Sequence, residues 1–345
     1  MKITSISFIA LLKWLQAIFI LAVILYFGKT LFIPLCFGLL TAIVLYPVCR
    51  KLEQRKWPKS IAVTVCLLLV TFLIIALVGL FIWQINEFKR DAPLFIDKLK
   101  TGLSALQQSL LLNHGLSIGT PASWVEKLSG NIGSILQSAF SGTVNMFFIL
   151  FLVPVFTALF LYHRKIFVQS LRLIAGEKYR QRLDAILQEA VHTYFNYIKG
   201  MVMVYIIVGI LNSAGLLLLG IKHAILFGML CAVMTIIPYI GIIVSALLPI
   251  SVAWITTGSI WYPLAVIAIF GIVQYLEANI IFPKVVGTQL NISTWATLVA
   301  IIAGGIIWGV AGMILFIPFV AILKIITDKS EEWKSLNLLL NRNQD

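Results

Sequence analysis

The chain has 345 residues, 61% of them hydrophobic and 11% charged, against roughly a quarter charged in ordinary soluble domains. Its apolar residues fall in blocks of about 20, the length that carries a helix through roughly 30 Å of hydrocarbon, and this excludes a soluble fold. The net charge of +13 would suggest nucleic acid in a soluble protein, but here the basic residues cluster between apolar spans. That is the positive-inside pattern of a membrane protein, and no nucleic-acid partner is expected.

Apolar spans run over 8–28, 31–49, 60–85, 143–162, 199–220, 223–256, 261–282 and 294–326. About eight such segments imply an all-α, polytopic membrane protein, because helices satisfy their own backbone groups in lipid. Lys2 and Lys13 flank the start of the first span as in a secretory signal. No Ala-x-Ala-like site follows, however, and a second span begins at once, so the segment reads as a retained anchor helix. Cys36, Cys49, Cys66 and Cys231 form no CxxC motif or Cys/His cluster and lie in or beside apolar spans. They read as reduced packing residues, with no metal or cofactor implied.

Arg50, Lys51, Arg55, Lys56 and Lys59 face only Glu53 between the second and third spans, which places that loop and both chain termini in the cytoplasm. Residues 86–141 then lie outside. They are mixed in charge, amphipathic from Phe88 to Leu112, and broken by Gly115, Gly119 and Pro121, as in a small external helical layer. The fourth span returns to a basic stretch with Arg164, Lys165, Arg172, Lys178, Arg180, Arg182 and Lys199, where Leu183, Ile186, Leu187 and Ala190 recur at helical spacing. This predicts an amphipathic helix lying on the membrane or against other spans. The chain divides accordingly into membrane helices over 1–85, an external segment over 86–141, a fourth helix with the amphipathic stretch over 142–198, a core over 199–326 and a cytoplasmic tail over 327–345.

Residues 223–256 would extend about 50 Å as a straight helix, well beyond one bilayer crossing. The run Ile236-Ile237-Pro238-Tyr239-Ile240-Gly241 breaks them near the middle, since proline removes a backbone donor and glycine tolerates non-helical dihedrals. Residues 294–326 are similarly overlong, with Gly304, Gly305, Gly309 and Gly312 at the centre and Pro318 beyond. Broken helix is tolerated in a membrane only inside protein or beside a wet cavity, so paired interruptions point to a transport site. Two broken crossings and two re-entrant hairpins both fit. They place the loop around Lys284 on opposite sides.

Glu277 is the sole acidic residue inside an apolar span, in Gln274-Tyr275-Leu276-Glu277-Ala278-Asn279-Ile280-Ile281-Phe282-Pro283. A charge at such depth is expensive and usually faces a bundle interior or an aqueous path. Gln274 lies one turn earlier on the same face, whereas Asn279 points elsewhere. The polar connection Lys284 to Ser293 can add backbone and amide hydrogen bonds to a small solute.

These residues resemble the autoinducer-2 exporter family, also known as a permease family. The resemblance rests on Ile237-Pro238-Tyr239-Ile240-Gly241, on Gln274-x-x-Glu277-x-Asn279-x-x-x-Pro283 with Gly287, and on the Gly304-Gly305 to Gly312 run ending in Ile317-Pro318. Pro34, Pro47 and Tyr162-His163-Arg164 agree more loosely. The resemblance implies a bacterial inner-membrane homo-oligomer, a pentamer, whose protomers carry two re-entrant helical hairpins at 223–256 and 294–326 and transport by an elevator-like motion. It carries over Pro238, Gly241, Gln274, Glu277, Asn279, Pro283 and Gly287 as site or hinge positions, and Tyr239 joins the binding candidates. Gly304, Gly305, Gly309 and Gly312 are the hairpin candidates.

The leading expectation is a secondary transporter exporting a small polar metabolite or signal, autoinducer-2-like by the resemblance. The alternative is a sodium or lithium/proton antiporter with Glu277 binding cation and proton in turn. No GxxxxGK[ST] phosphate loop occurs, so a gradient or a partner must supply energy. An intramembrane enzyme is not expected: Glu277 stands alone at depth, His114, His163, His192 and His223 lie at span edges or outside, and no HExxH occurs. A non-transporting scaffold would not require a buried glutamate.

Overall fold

The computed structural model describes residues 8–76, 79–80, 83, 151–238, 240–287 and 289–342. The external segment 86–141 and Tyr239 lie outside the described residues. Helices account for nearly everything else, and the only bridge of strand type among the described residues is an isolated one, Ile292 with Asn341. Chain order is α1 (Phe8–Phe27), α2 (Lys29–Gln54), α3 (Lys59–Ala76), α4 (Phe151–Ala175), α5 (Arg180–Leu218), α6 (Ala224–Met234), α7 (Ile240–Thr257), α8 (Trp261–Leu276), α9 (Phe282–Val285), α10 (Thr294–Trp308), α11 (Val310–Asp328) and α12 (Lys334–Leu340). Six helices among the described residues are long and apolar enough to cross a membrane. The protein is therefore an all-α polytopic membrane protein.

Charge does not end a helix, and two elements outrun the apolar blocks for that reason. α4 continues through His163, Arg164 and Lys165 to Ala175 and stops at Gly176, whose φ of 74° lies in the left-handed region. α5 joins the amphipathic stretch to the fifth span in one helix of 39 residues, about 58 Å long. The expected amphipathic face exists, with Leu183, Ile186 and Leu187 half-buried and Ala190 buried. Its polar flank is tied to other elements: Asp184 pairs with Arg172 of α4 at 2.9 Å, and Glu189 with Lys329 at 3.0 Å.

The chain forms two compact units. The first comprises residues 1–67, 149–195 and 290–345, and the second residues 68–148 and 196–289. In the first unit the Thr157 hydroxyl of α4 bonds the Gly38 carbonyl of α2 at 3.2 Å. Arg164 pairs with Glu53 and stacks over the Tyr46 ring, 5.2 Å from its centroid. The Lys59 ammonium donates to the Tyr162 carbonyl.

α10 and α11 form the hairpin of this unit. Gly309 alone separates them, at φ 61° and ψ −140°, a backbone conformation open in practice only to glycine. The two backbones then touch: a Cβ on Gly304 would lie 2.3 Å from the Gly312 carbonyl oxygen, and one on Gly312 2.0 Å from that of Gly304. At the tip, the Trp308 indole N–H donates to the Leu25 carbonyl of α1 at 2.9 Å and its ring meets Phe316 edge-on. At the base, Ala296 and Ala321 share one buried cluster with Ile292 and Leu340, which fixes the two helices as antiparallel.

The tail closes that base. The Ser293 amide and hydroxyl donate to the carbonyls of Leu340 and Leu339 at 2.8 and 2.7 Å, while the Ser293 hydroxyl also accepts from the Ala296 amide as the cap of α10. The Asn337 side chain donates to the Thr327 hydroxyl at 3.2 Å and to Asp328 at 2.5 Å, beside the end of α11.

The second unit is built on the C-terminal part of α5, with α6 to α9. Phe227 and Cys231 of α6 share a buried cluster with Val252 and Ala253 of α7, with Val204, Val208 and Leu216 of α5, and with Val266 and Val273 of α8. The expected break at 236–241 is a turn between α6 and α7. Gly241 belongs there because a Cβ would sit 1.7 Å from the Met234 carbonyl oxygen. α6 has 11 residues and α10 has 15, about 16 and 22 Å, both short of a hydrocarbon core of roughly 30 Å.

Candidate functional site

α8 runs without a break into a widened turn over Glu277–Ile281 and then into α9. Pro283 accounts for the widening. A proline inside a helix has no N–H to give and its ring collides with the carbonyl four residues earlier, here that of Asn279. A π-type turn relieves the collision, and such turns are frequent at functional sites. Gly287, at φ 60°, ends the segment, with its amide donating to the Phe282 carbonyl at 3.1 Å.

Glu277 opens the widened turn and is 8% exposed. Its Oε2 is buried without a hydrogen-bond partner, and it forms no ion pair among the described residues. Gln274, three residues earlier and half-buried, likewise has a buried Oε1 with no partner among the described residues. Asn279 is exposed and folds its amide back onto the Tyr275 carbonyl at 2.9 Å. Glu277 and Gln274 thus share a face that Asn279 does not. Pro238 and Gly241 sit at the α6–α7 turn of the same unit, and Pro283 and Gly287 frame the helix end below Glu277. Gly304, Gly305, Gly309 and Gly312 belong to the α10–α11 hairpin of the first unit.

Helices α5 and α6 bring further polar groups that the sequence reading did not single out. Cys231 of α6 shares a buried cluster with Val204 and Val208 of α5 and with Val273 of α8, one turn before Glu277. Asn212, two turns beyond Tyr205 on α5, is 2% exposed; its amide nitrogen donates to the Val208 carbonyl at 3.1 Å and contacts the Cys231 sulfur at 3.4 Å. The available signal was an amide in the middle of an apolar span, since buried polar groups in membrane helices face the bundle interior. Among the described residues no group of three His, Cys, Asp or Glu side chains is placed to hold a metal ion.

Known proteins give the chain its class. The AI-2 transport protein TqsA of Escherichia coli (strain K12) is 23% identical over 325 residues, covering 91% of this chain and 90% of that one. YrrI of Bacillus subtilis (strain 168), assigned to transport by its name, is 25% identical over 311 residues, 86% of each chain. YhhT of Escherichia coli (strain K12), similarly named, is 25% identical over 335 residues, 96% of this chain and 93% of that one. The family described as AI-2E family transporter matches residues 15–332. With a multi-pass helical fold, a buried carboxyl on a widened turn and a family match along nearly the whole chain, this protein is a membrane transporter that belongs to the AI-2E family.

Proposed function

We propose that the chain is a secondary transporter that exports a small polar solute, a metabolite or an autoinducer-2-like signal, across the bacterial cytoplasmic membrane, with Glu277 in the substrate site. One observation carries this reading: a carboxyl oxygen buried in an apolar unit with neither countercharge nor hydrogen-bond partner among the described residues, on a turn widened away from regular helix. Burying such a group destabilises a fold, and a role in holding cargo explains its presence. The name of the relative TqsA, an AI-2 transport protein, supports the signal as cargo.

Both hairpins are re-entrant in this reading. α6 and α10 are each too short to cross the bilayer, and each doubles back through a glycine-dependent turn. The five basic residues Arg50, Lys51, Arg55, Lys56 and Lys59 at the α2–α3 junction support a cytoplasmic position for that loop and for both termini. Function as a homo-oligomer, with the hairpins moving in an elevator-like cycle, completes the proposal; native mass spectrometry of the solubilised protein reads the number of subunits.

A sodium or lithium/proton antiporter is the second reading, favoured by the unpaired oxygens of Glu277 and Gln274. A buried carboxyl can take up a cation and a proton in turn, with backbone and amide oxygens completing the shell. Proteoliposomes decide between them. Dissipation of a pH gradient on adding sodium or lithium supports antiport, and solute flux without it supports export. In either assay Glu277→Gln should abolish flux while leaving assembly intact, and unchanged flux would remove Glu277 from the mechanism.

A further inference from the structure

Asn212 is a costly residue that packing alone does not explain. It sits in the apolar stretch Ile206 to Leu218 of α5, 2% exposed. Its donor side is committed, to the Val208 carbonyl at 3.1 Å and the Cys231 sulfur at 3.4 Å. The carbonyl partner also fixes the orientation of the amide, since only the nitrogen can donate to it. The oxygen is therefore turned away, and Oδ1 is buried with no partner among the described residues. An unpaired buried acceptor destabilises the chain that carries it.

Within this unit three side-chain oxygens share that condition: Asn212 Oδ1, Gln274 Oε1 and Glu277 Oε2. Cys231 connects them through packing: it contacts the Asn212 amide and shares one buried cluster with Val208 and with Val273, one helical turn before Glu277. Gln274 is one helical turn from Glu277. The three unpaired atoms are acceptors: the Asn212 amide hydrogens are occupied, and among the described residues Glu277 has no cation beside it. Unpaired acceptors are complementary to a group that brings hydrogens or positive charge, and an anion would leave their lone pairs unsatisfied.

We infer that Asn212 is a ligand-binding residue of the Glu277 site, and that the site takes a cargo group that donates hydrogen bonds or carries positive charge and rejects anions. The inference rests on the transport role proposed for Glu277 and adds a third oxygen, on a different helix, and the polarity of the cargo. Two sources supply that chemistry, a hydroxyl-rich neutral solute and a monovalent cation.

The test is ligand-induced thermal stabilisation of the purified full-length protein in detergent. The probes are lithium or sodium chloride against choline chloride at equal ionic strength, a neutral pentose, and the corresponding aldonate. Stabilisation by the pentose or by the small cations identifies the source, and the aldonate should give none. Asn212→Ala should weaken the effective probe by about tenfold or more, the loss expected for one hydrogen bond in a dry site. Asn212→Asp restores an acceptor oxygen and should retain most of the affinity, whereas a purely structural role for the amide donors predicts equal loss in both variants.

Stabilisation by the aldonate, or by no probe at all, overturns the cargo polarity. Unchanged affinity in Asn212→Ala, or equal loss in the Ala and Asp variants, overturns the role of Asn212. If the Ala variant does not fold, the Asp variant decides alone: retained affinity supports the assignment and tenfold loss removes it. Flux separates this from the parent proposal. Loss in Glu277→Gln beside full flux in Asn212→Ala sinks only the present inference, whereas full flux in Glu277→Gln sinks the site itself.

Discussion

Adding one methyl group to the α10–α11 hairpin should distinguish backbone contact from ordinary helix packing. In Gly304→Ala the new Cβ would sit 2.3 Å from the Gly312 carbonyl oxygen and 2.5 Å from its carbon. Ordinary carbon contacts begin near 3.5 Å, so the helices must part by about 1 Å, and backbone on both sides leaves no side chain to swing away. Overpacking of this kind costs about 1–3 kcal/mol. The neighbouring substitution is an internal control. Gly305→Ala meets only the flexible Met313 methyl at 2.8 Å, and it gains the same helix propensity, roughly 1 kcal/mol for alanine over glycine. Gly271→Ala, with nothing within 4 Å, should be neutral or stabilising. Thermal unfolding followed by size-exclusion fluorescence in one detergent should show a Tm fall of a few degrees for Gly304→Ala and little or none for the other two. Equal behaviour of Gly304→Ala and Gly305→Ala would refute the close backbone approach.

Two further substitutions probe the site and the tail. Pro283→Ala removes the ring that forces the widened turn at 277–281, so the segment should relax toward regular helix and rotate Glu277 about the axis of α8; a flux assay should show a several-fold loss while gel filtration stays normal, and unchanged flux would detach the turn from the mechanism. Ser293→Ala deletes both the hydroxyl bond to Leu339 and the cap on Ala296, at a cost of about 1 kcal/mol. Hydrogen exchange at the start of α10 and along α12 should accelerate several-fold, and unaltered exchange would show that the tail is held by other contacts.

Much of the fold was legible in the sequence because the bilayer sets helix length. Blocks such as 31–49 and 261–282 mark helices whose polar flanks were misjudged by only a few residues. Both glycine–proline interruptions were legible because their chemistry is local. Gly309 needs its φ of 61° whatever surrounds it. The fusion of the amphipathic stretch with the fifth span into α5 was not legible, since charged residues such as Lys199 depress hydropathy without breaking a helix. That Gln274 and Glu277 lie one turn apart on one helix face followed from spacing alone. Asn212 did not, because one neutral amide barely alters the apolar character of its span, and its meeting with Cys231 joins residues 19 apart across a helix turn. The widened turn at 277–281 leaves no periodic trace, and only Pro283 hinted at it.

The closure of the second hairpin by Ser293 and the tail sets an order in which this part of the chain can come apart. Joining Ser293 to Leu339 closes a loop of 46 residues, for which a flexible chain would lose roughly 3 kcal/mol of entropy beyond a constant term. The antiparallel packing of α10 on α11 already holds the two ends of that loop near each other, so the tail's hydrogen bonds form against little entropic opposition. The reverse step is equally graded: α12 can detach and rebind while the hairpin persists, whereas opening the hairpin first would strand both partners of every bond at its base. Local unfolding should therefore proceed from the C-terminus inward, with the tail as the least stable layer on a unit whose glycine contact at 304 and 312 lies at the opposite, most constrained end.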